Sequence, residues 1–101
     1  MDRTREFLDD LSSMFKALGD PTRLGIVLGL MEGERCVSDL ASSMDISESS
    51  TSHHLRGLRQ LRVVKRRREG KRLFYSLDDH HVYLILTIGL EHQAHKDREE
   101  C

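Results

Sequence analysis

The chain has 101 residues, a formal net charge of −1 and two cysteines. A chain of this length makes one small domain with a marginal core, so dimerisation is common. No window approaches the ~18 apolar residues of a membrane span, the start shows no basic-then-apolar signal pattern, and two cysteines do not indicate a disulfide framework. We therefore expect a cytoplasmic protein with no membrane partner.

The first half of the chain is predicted to be helical. Residues 4–18 form an amphipathic helix, because apolar side chains recur at helical spacing. Asp20 is a plausible N-cap and Pro21 a first helical residue, so a second helix should run to about Met31. The apolar positions of the first helix are Phe7, Leu8, Leu11, Met14, Phe15 and Leu18.

The second half predicts a helix-turn-helix followed by a hairpin. "VSDLASSMD" is a short third helix, and after a tight turn Ser47 can cap a fourth helix that runs to about Leu61. "VVKRRR" and "RLFYSL" are short strands joined through Gly70, and a fifth helix follows over about residues 78–96. The expected fold is a winged helix-turn-helix over residues 1–101, mainly α, with five helices and a two-stranded wing.

The charge of the chain is unevenly distributed. The stretch from Arg56 to Arg72 contains nine Lys or Arg residues and one acid, Glu69, so it carries +8 while the remainder carries −9. A solvated charged face is the simpler interpretation of such a run. Because this run follows a candidate recognition helix directly, we favour a phosphate-binding surface.

The fourth helix has one apolar and one polar side. Thr51, Leu55 and Leu58 fall on the side that should face the core. The other side offers hydroxyl, imidazole and guanidinium groups, which can donate to base edges and phosphates of double-stranded DNA. His54 lies on the flank and is interpreted as an ordinary surface residue. The predicted DNA contacts are Ser49, Ser50, Ser52, His53 and Arg56 on the helix, and Arg67, Lys71 and Arg72 on the wing.

The last helix has a polar cluster at each end. Asp78, Asp79, His80 and His81 stand at its start, and His92 and His95 near its end. His81 and His92 project to the same side but are separated by about 16 Å along the axis, so they cannot share an ion within one helix. Between them runs an apolar seam of Leu84, Ile85 and Ile88. The other side, which should bury against the chain's own domain, carries Val82, Tyr83, Leu86 and Leu90.

Two apolar faces usually indicate two partners. If the second partner is the same helix of another copy, antiparallel about a two-fold axis, the start of each helix lies beside the end of its mate. Asp79 and His81 of one chain then meet His92 and His95 of the other. Three imidazoles and a carboxylate suit Zn(II) or Co(II). The alternative is four polar residues that only decorate the ends of a helix.

The segments "ALGDPTRL", "SHHLRGLR" and "EGKRLFYSL", in this order and spacing, resemble the ArsR/SmtB family of metal-sensing winged-helix repressors. The resemblance runs from about Phe15 to His95. It implies a homodimer that binds an operator without effector and releases it when the effector binds. In one branch the last helix carries an Asp-x-His pair and, eleven residues on, a His-x-x-His pair, which match Asp79, His81, His92 and His95 here. That register skips Asp78 and His80.

Other interpretations remain open. Another branch uses a Cys-Val-Cys motif, but "RCVSDL" has Ser38 in place of the second thiolate, so we interpret Cys36 as structural and leave Cys101 open. A metal enzyme would need an open ligand position, whereas protein side chains can fill all four, so no enzyme and no organic cofactor are expected. The alternative function is a winged-helix regulator that responds to oxidation of Cys36 or to a protein partner.

Overall fold

The computed structural model describes residues 2–99. Its elements are the helices α1 (Asp2–Leu18), α2 (Pro21–Gly29), α3 (Val37–Met44), α4 (Glu48–Gln60) and α5 (His80–Glu99), and the strands β1 (Arg35–Cys36), β2 (Val64–Glu69) and β3 (Arg72–Leu77). The fold is the predicted winged helix-turn-helix. Over the part of the chain just given, no helix is long and apolar enough to cross a membrane.

The start of α2 is as predicted, but its end is not. The Asp20 carboxylate accepts a hydrogen bond from the Arg23 N–H at 2.9 Å, and Pro21 opens the helix. This hydrogen bond lowers the pKa of Asp20. The helix ends at Gly29 rather than at about Met31. Beyond Gly29 the chain tightens into a turn, because Leu30 and Met31 donate to the carbonyls three residues back, at 3.0 and 3.2 Å.

The turn between α3 and α4 is closed by local hydrogen bonds. Asp45 adopts the left-handed conformation (φ 57°, ψ 47°) that commonly ends a helix, and Ile46 donates its N–H to the Ala41 carbonyl at 3.1 Å. Ser47 then caps α4 as predicted, since its hydroxyl accepts from the Ser50 N–H at 3.0 Å. The short turn therefore fixes the direction in which α4 leaves α3.

The wing belongs to a three-stranded antiparallel sheet. β2 and β3 pair from Val64–Leu77 to Glu69–Arg72, and Gly70 turns between them at φ 63°. These two strands are the predicted wing, and β1, which was not predicted, adds to the other edge of β3 and gives the order β1-β3-β2. A strand of only two residues has no alternation of its own, so the sequence pattern could not reveal it.

The core lies where α2, α3 and α4 meet the base of the sheet. Thr51, Leu55 and Leu58 are fully buried, as predicted, and the Thr51 hydroxyl donates to the Ser47 carbonyl at 2.9 Å. Because this side of α4 is anchored in the core, its opposite side must face solvent. The largest fully buried side chains are Ile26, Val27, Leu40, Leu55, Leu58, Val63 and Val64.

The helices α1 and α5 leave large apolar side chains in solvent. Phe7 is 68% exposed on α1, and Ile88 is 63% exposed on α5. Four residues of α5 were expected to bury within their own domain, and for two of them this is wrong: Val82 and Leu86 are buried, but Tyr83 is 38% and Leu90 49% exposed. The remaining pair stands i, i+4, so α5 touches its own domain along a narrow line only.

Candidate DNA-binding surface and candidate metal centre

The outer side of α4 presents most of the predicted DNA contacts to solvent. Ser49, Ser52, His53 and Arg56 are exposed, whereas Ser50 is half-buried in the first turn of the helix. Base edges in a major groove are read by side chains that reach outward from a rigid helix. The four exposed residues occupy such outward positions on α4.

Arg67, a predicted wing contact, is held by two carboxylates. Its guanidinium donates to both Glu34 oxygens, at 2.7 and 2.9 Å, and to Glu69 at 2.8 Å. These bonds raise the pKa of Arg67, and the guanidinium holds the pKa of the Glu34 carboxyl below its usual range. Glu34 lies 33 residues away in the sequence, so spacing could not indicate this contact. Arg67 therefore ties the wing to the segment before β1 and is already neutralised.

The other two wing cations have different surroundings. Lys71 is exposed beside the hairpin turn. Arg72 lies over the Phe74 ring, with its guanidinium carbon 5.2 Å from the centroid, and its Nη2 is 3.8 Å from Cys36 Sγ. Arg66 and Arg68 are also exposed on β2, and Arg66 was missed as a candidate. Strand residues alternate between faces, so these two point away from the side that carries Arg67.

Cys36 is buried at the junction of β1 and α3. Its thiol lies 3.2 Å from the Ser38 hydroxyl, and this contact lowers the pKa of Cys36. The burial agrees with a structural cysteine. Cys101 lies outside the described residues. Within residues that the structure describes, no group of three or more His, Cys, Asp or Glu side chains could hold a metal ion in a single chain.

The start of α5 brings Asp79 and His81 together. One Asp79 oxygen, Oδ1, accepts from the N–H groups of His81 at 2.9 Å and Val82 at 3.2 Å, and so caps the helix. The Val82 bond, helped by the His81 side chain, lowers the pKa of Asp79. The second oxygen, Oδ2, lies 3.5 Å from His81 Nδ1. His80 instead stacks on Tyr83, with ring centroids 5.6 Å apart.

This pair has the separation that two ligands of one tetrahedral ion would need. Metal–oxygen and metal–nitrogen bonds of about 2.0–2.1 Å place neighbouring ligand atoms roughly 3.3 Å apart. The Oδ2–Nδ1 distance of 3.5 Å is close to that value. Because Oδ1 alone serves the helix, Oδ2 could bind a metal without loss of the cap.

His92 and His95 form the second pair, about one turn apart near the end of α5. Both are exposed. The 20-residue helix holds this pair far from Asp79 and His81. The structure thus brings Asp79 and His81 into contact and places His92 and His95 about one helical turn apart. It does not join the two pairs within one chain.

Known proteins resemble both the sequence and the fold. A family model described as "Bacterial regulatory protein, arsR family" matches residues 20–66. A cadmium resistance transcriptional regulatory protein CadC homologue from Staphylococcus aureus is 46% identical over 85 residues, which are 83% of this chain and 70% of that protein. A transcriptional repressor SmtB homologue from Synechocystis is 44% identical over 87 residues, 86% of this chain and 66% of that protein.

One similar solved structure is a homodimer. It is the homodimeric winged helix-turn-helix DNA-binding domain of a possible ArsR-family regulator from Mycobacterium bovis, determined by NMR. The similarity covers 100% of this chain and 93% of that one, with a TM-score of 0.88 and 29% sequence identity.

Proposed function

The chain belongs to the ArsR family of bacterial regulatory proteins, and we propose that it is a homodimeric repressor that releases operator DNA when it binds a divalent transition metal. Its family consists of DNA-binding transcriptional regulators, so the chain is a regulator and not an enzyme. The relative named for cadmium resistance supports a metal as the signal, and the relative named as a repressor supports repression.

The observation that carries the metal assignment is the pairing of Asp79 with His81 at the start of α5. The 3.5 Å separation of Oδ2 and Nδ1 fits two ligands of one tetrahedral ion. His92 and His95 would complete the set from a second copy, and the two-fold axis would make the site twice. Zn(II) or Co(II) suits three imidazoles and one carboxylate. The bound ion would supply a bridge between two chains, and no chemistry beyond that.

The dimer is proposed to form through α1 and α5. Both helices expose apolar side chains, among them Phe7, Phe15, Ile85 and Ile88. The homodimeric relative of the same fold supports this assembly. Leu84, Ile85 and Ile88 would form the seam between antiparallel α5 helices and would bury apolar surface whether or not metal is present.

A ligand can change DNA affinity only if it favours one arrangement of the dimer, and the coupling must be reciprocal. We expect the metal-bound arrangement to space the two α4 helices poorly for successive major grooves. The test is a fluorescence-anisotropy titration of the dimer on a DNA fragment selected from a random pool, with Zn(II), Co(II), Ni(II) and Cd(II) in turn. Metal should weaken binding, and DNA should weaken metal binding by the same factor.

His81→Gln is the informative variant in that titration. It should bind DNA as the unchanged chain does and lose the response to metal. Replacement of Asp78, a neighbour that is not a proposed ligand, by Asn is the matched control and should leave the response intact. If metal still releases DNA from His81→Gln to the full extent, α5 is not the sensing element.

A second candidate signal is oxidation of Cys36. The Ser38 hydroxyl lowers the pKa of this thiol, and thiolates are the forms that oxidants attack. Burial of Cys36 opposes the reaction. If Cys36→Ser abolishes release of DNA by hydrogen peroxide, and metals have no effect on the unchanged chain, the redox function replaces the metal function.

A further inference from the structure

A pocket of about 340 Å³ lies between α1, α2 and α4. Every ionisable side chain in its lining is basic: Lys16 comes from α1, Arg23 from α2, and His53, His54 and Arg56 from α4. Cations gathered from three separate elements repel one another unless an anion joins them. The pocket therefore has the electrostatic character of an anion site.

One of these cations, Arg23, is held in place by the fold. Arg23 Nε donates to the Ala17 carbonyl at 3.1 Å, which fixes the guanidinium beside α1. That bond uses one of five guanidinium N–H donors. Asp20 interacts electrostatically with Arg23 and His54 but does not line the pocket, and its Oδ2 already accepts from the Arg23 backbone. Asp20 therefore offsets only part of the positive charge.

His54 lines the same pocket from α4. Its Nδ1 is buried and has no hydrogen-bond partner within the described residues, but this atom is closed off even from water, so an oxygen in the pocket could bond to it only if the ring moved. A ligand with several acceptor oxygens would instead bond to the remaining guanidinium donors of Arg23.

We propose that the pocket between α1, α2 and α4 binds a backbone phosphate of the operator DNA. This rests on the proposed function as a DNA-binding repressor. His53 and Arg56, which line the pocket, also belong to the side of α4 that faces solvent, so a strand lying along α4 passes the pocket mouth. The DNA interface then extends beyond α4 and the wing to Lys16 and Arg23, neither of which belongs to the helix-turn-helix.

The test compares two cations of the same helix. Lys16 and Arg3 are both exposed on α1, and about 20 Å of helix separates them. For Lys16→Gln, the log–log dependence of DNA affinity on salt should flatten by about two units, because each subunit of the dimer loses one phosphate contact. Arg3→Gln removes the same charge outside the pocket and should keep the slope of the unchanged chain. Equal slopes for both variants would overturn the proposal.

Methylphosphonate scanning of the DNA locates the contact. Neutralising phosphates one at a time should reveal a position at which Lys16→Gln loses less affinity than the unchanged chain does, since coupled groups are not additive. Absence of such a position contradicts a DNA phosphate in the pocket.

Titration with inorganic phosphate at constant ionic strength separates a DNA phosphate from a free anion. If the DNA phosphate is the occupant, inorganic phosphate should shift the His54 ring signals in free protein and DNA should suppress that shift. A shift that persists in the DNA complex would mean that the pocket serves a free anion, which overturns the assignment. If the unchanged chain binds no selected DNA, the repressor function itself fails, a result distinct from an unaltered Lys16→Gln slope.

Discussion

Arg62 adopts a left-handed backbone conformation, with φ of 59°, between α4 and β2. This conformation costs a residue with a Cβ about 1–2 kcal/mol, and glycine avoids that cost but loses about 0.5–1 kcal/mol through the entropy of the unfolded chain. Arg62→Gly should therefore raise the free energy of unfolding by roughly 0.5–1 kcal/mol in urea denaturation. Arg59→Gly makes the same exchange within α4 and should lower it by about 1 kcal/mol. If both substitutions change the free energy of unfolding equally, the backbone of Arg62 is not strained.

Asp79 has two roles that substitution can separate. Asn is also a good helix cap, so Asp79→Asn should lower the melting temperature of the metal-free protein near neutral pH less than Asp79→Ala does, because only the charge is lost. It should weaken metal binding by at least about tenfold. Asp79→Ala should lose both the cap and the ligand. Metal affinity is measured by titration with Co(II), whose visible absorption reports tetrahedral coordination. Unchanged affinity in Asp79→Asn would exclude the carboxylate as a ligand.

The lowered pKa of Asp79 also has a direction in pH. A carboxylate whose pKa is depressed by folding adds stability above its ordinary pKa and loses that contribution as the pH falls through the lowered value. Asp79→Asn should remove this part of the acid destabilisation.

At the scale of elements, one cation of the wing is already paired with carboxylates, whereas others are free to contact DNA phosphates. Lys71→Gln should flatten the salt dependence of DNA affinity by about two units of log–log slope, one for each subunit of the dimer, and Arg67→Gln by much less, because Glu34 and Glu69 neutralise Arg67. Glu34→Gln should leave Arg67 paired with Glu69 alone and therefore steepen the slope. If Arg67→Gln flattens the slope as much as Lys71→Gln does, the ion pair opens when DNA binds.

Much of the element structure could be predicted because the signals are local. Asp20 and Ser47 cap the helices that they were expected to cap, and Thr51, Leu55 and Leu58 are buried on the side that periodicity indicates. β1 could not be predicted, since its two residues acquire a partner only when the fold brings β3 to them. The Arg67–Glu34 pair and the pocket at Lys16 likewise join residues distant in sequence, whereas the spacing of Asp79 and His81 was visible within one helix.

At the scale of the whole molecule, α5 has too little contact with its own domain to account for its apolar side chains. Ile88→Lys should raise the dissociation constant of the metal-free dimer by at least about a hundredfold, because burial of each Ile contributes about 1.5–3 kcal/mol and the axis repeats the contact. Sedimentation of the metal-free protein is the measurement. Ser42→Lys, at an exposed position on α3, is the control and should leave the dimer intact. If the unsubstituted, metal-free protein is monomeric, the proposed dimer seam on α5 is wrong.

The placement of the two ligand pairs at opposite ends of α5 has a consequence for mixtures of variants. In an antiparallel dimer, a chain that lacks Asp79 and His81 and a chain that lacks His92 and His95 would each form homodimers with no complete site. When the two are mixed and subunits exchange, the heterodimer has two different metal sites. One site lacks all four ligands, and the other has the intact Asp79 and His81 of one chain and the intact His92 and His95 of its mate. Two variants that bind no metal in a complete site when alone should then bind one metal ion per heterodimer when mixed. A site confined to a single chain could never show such complementation.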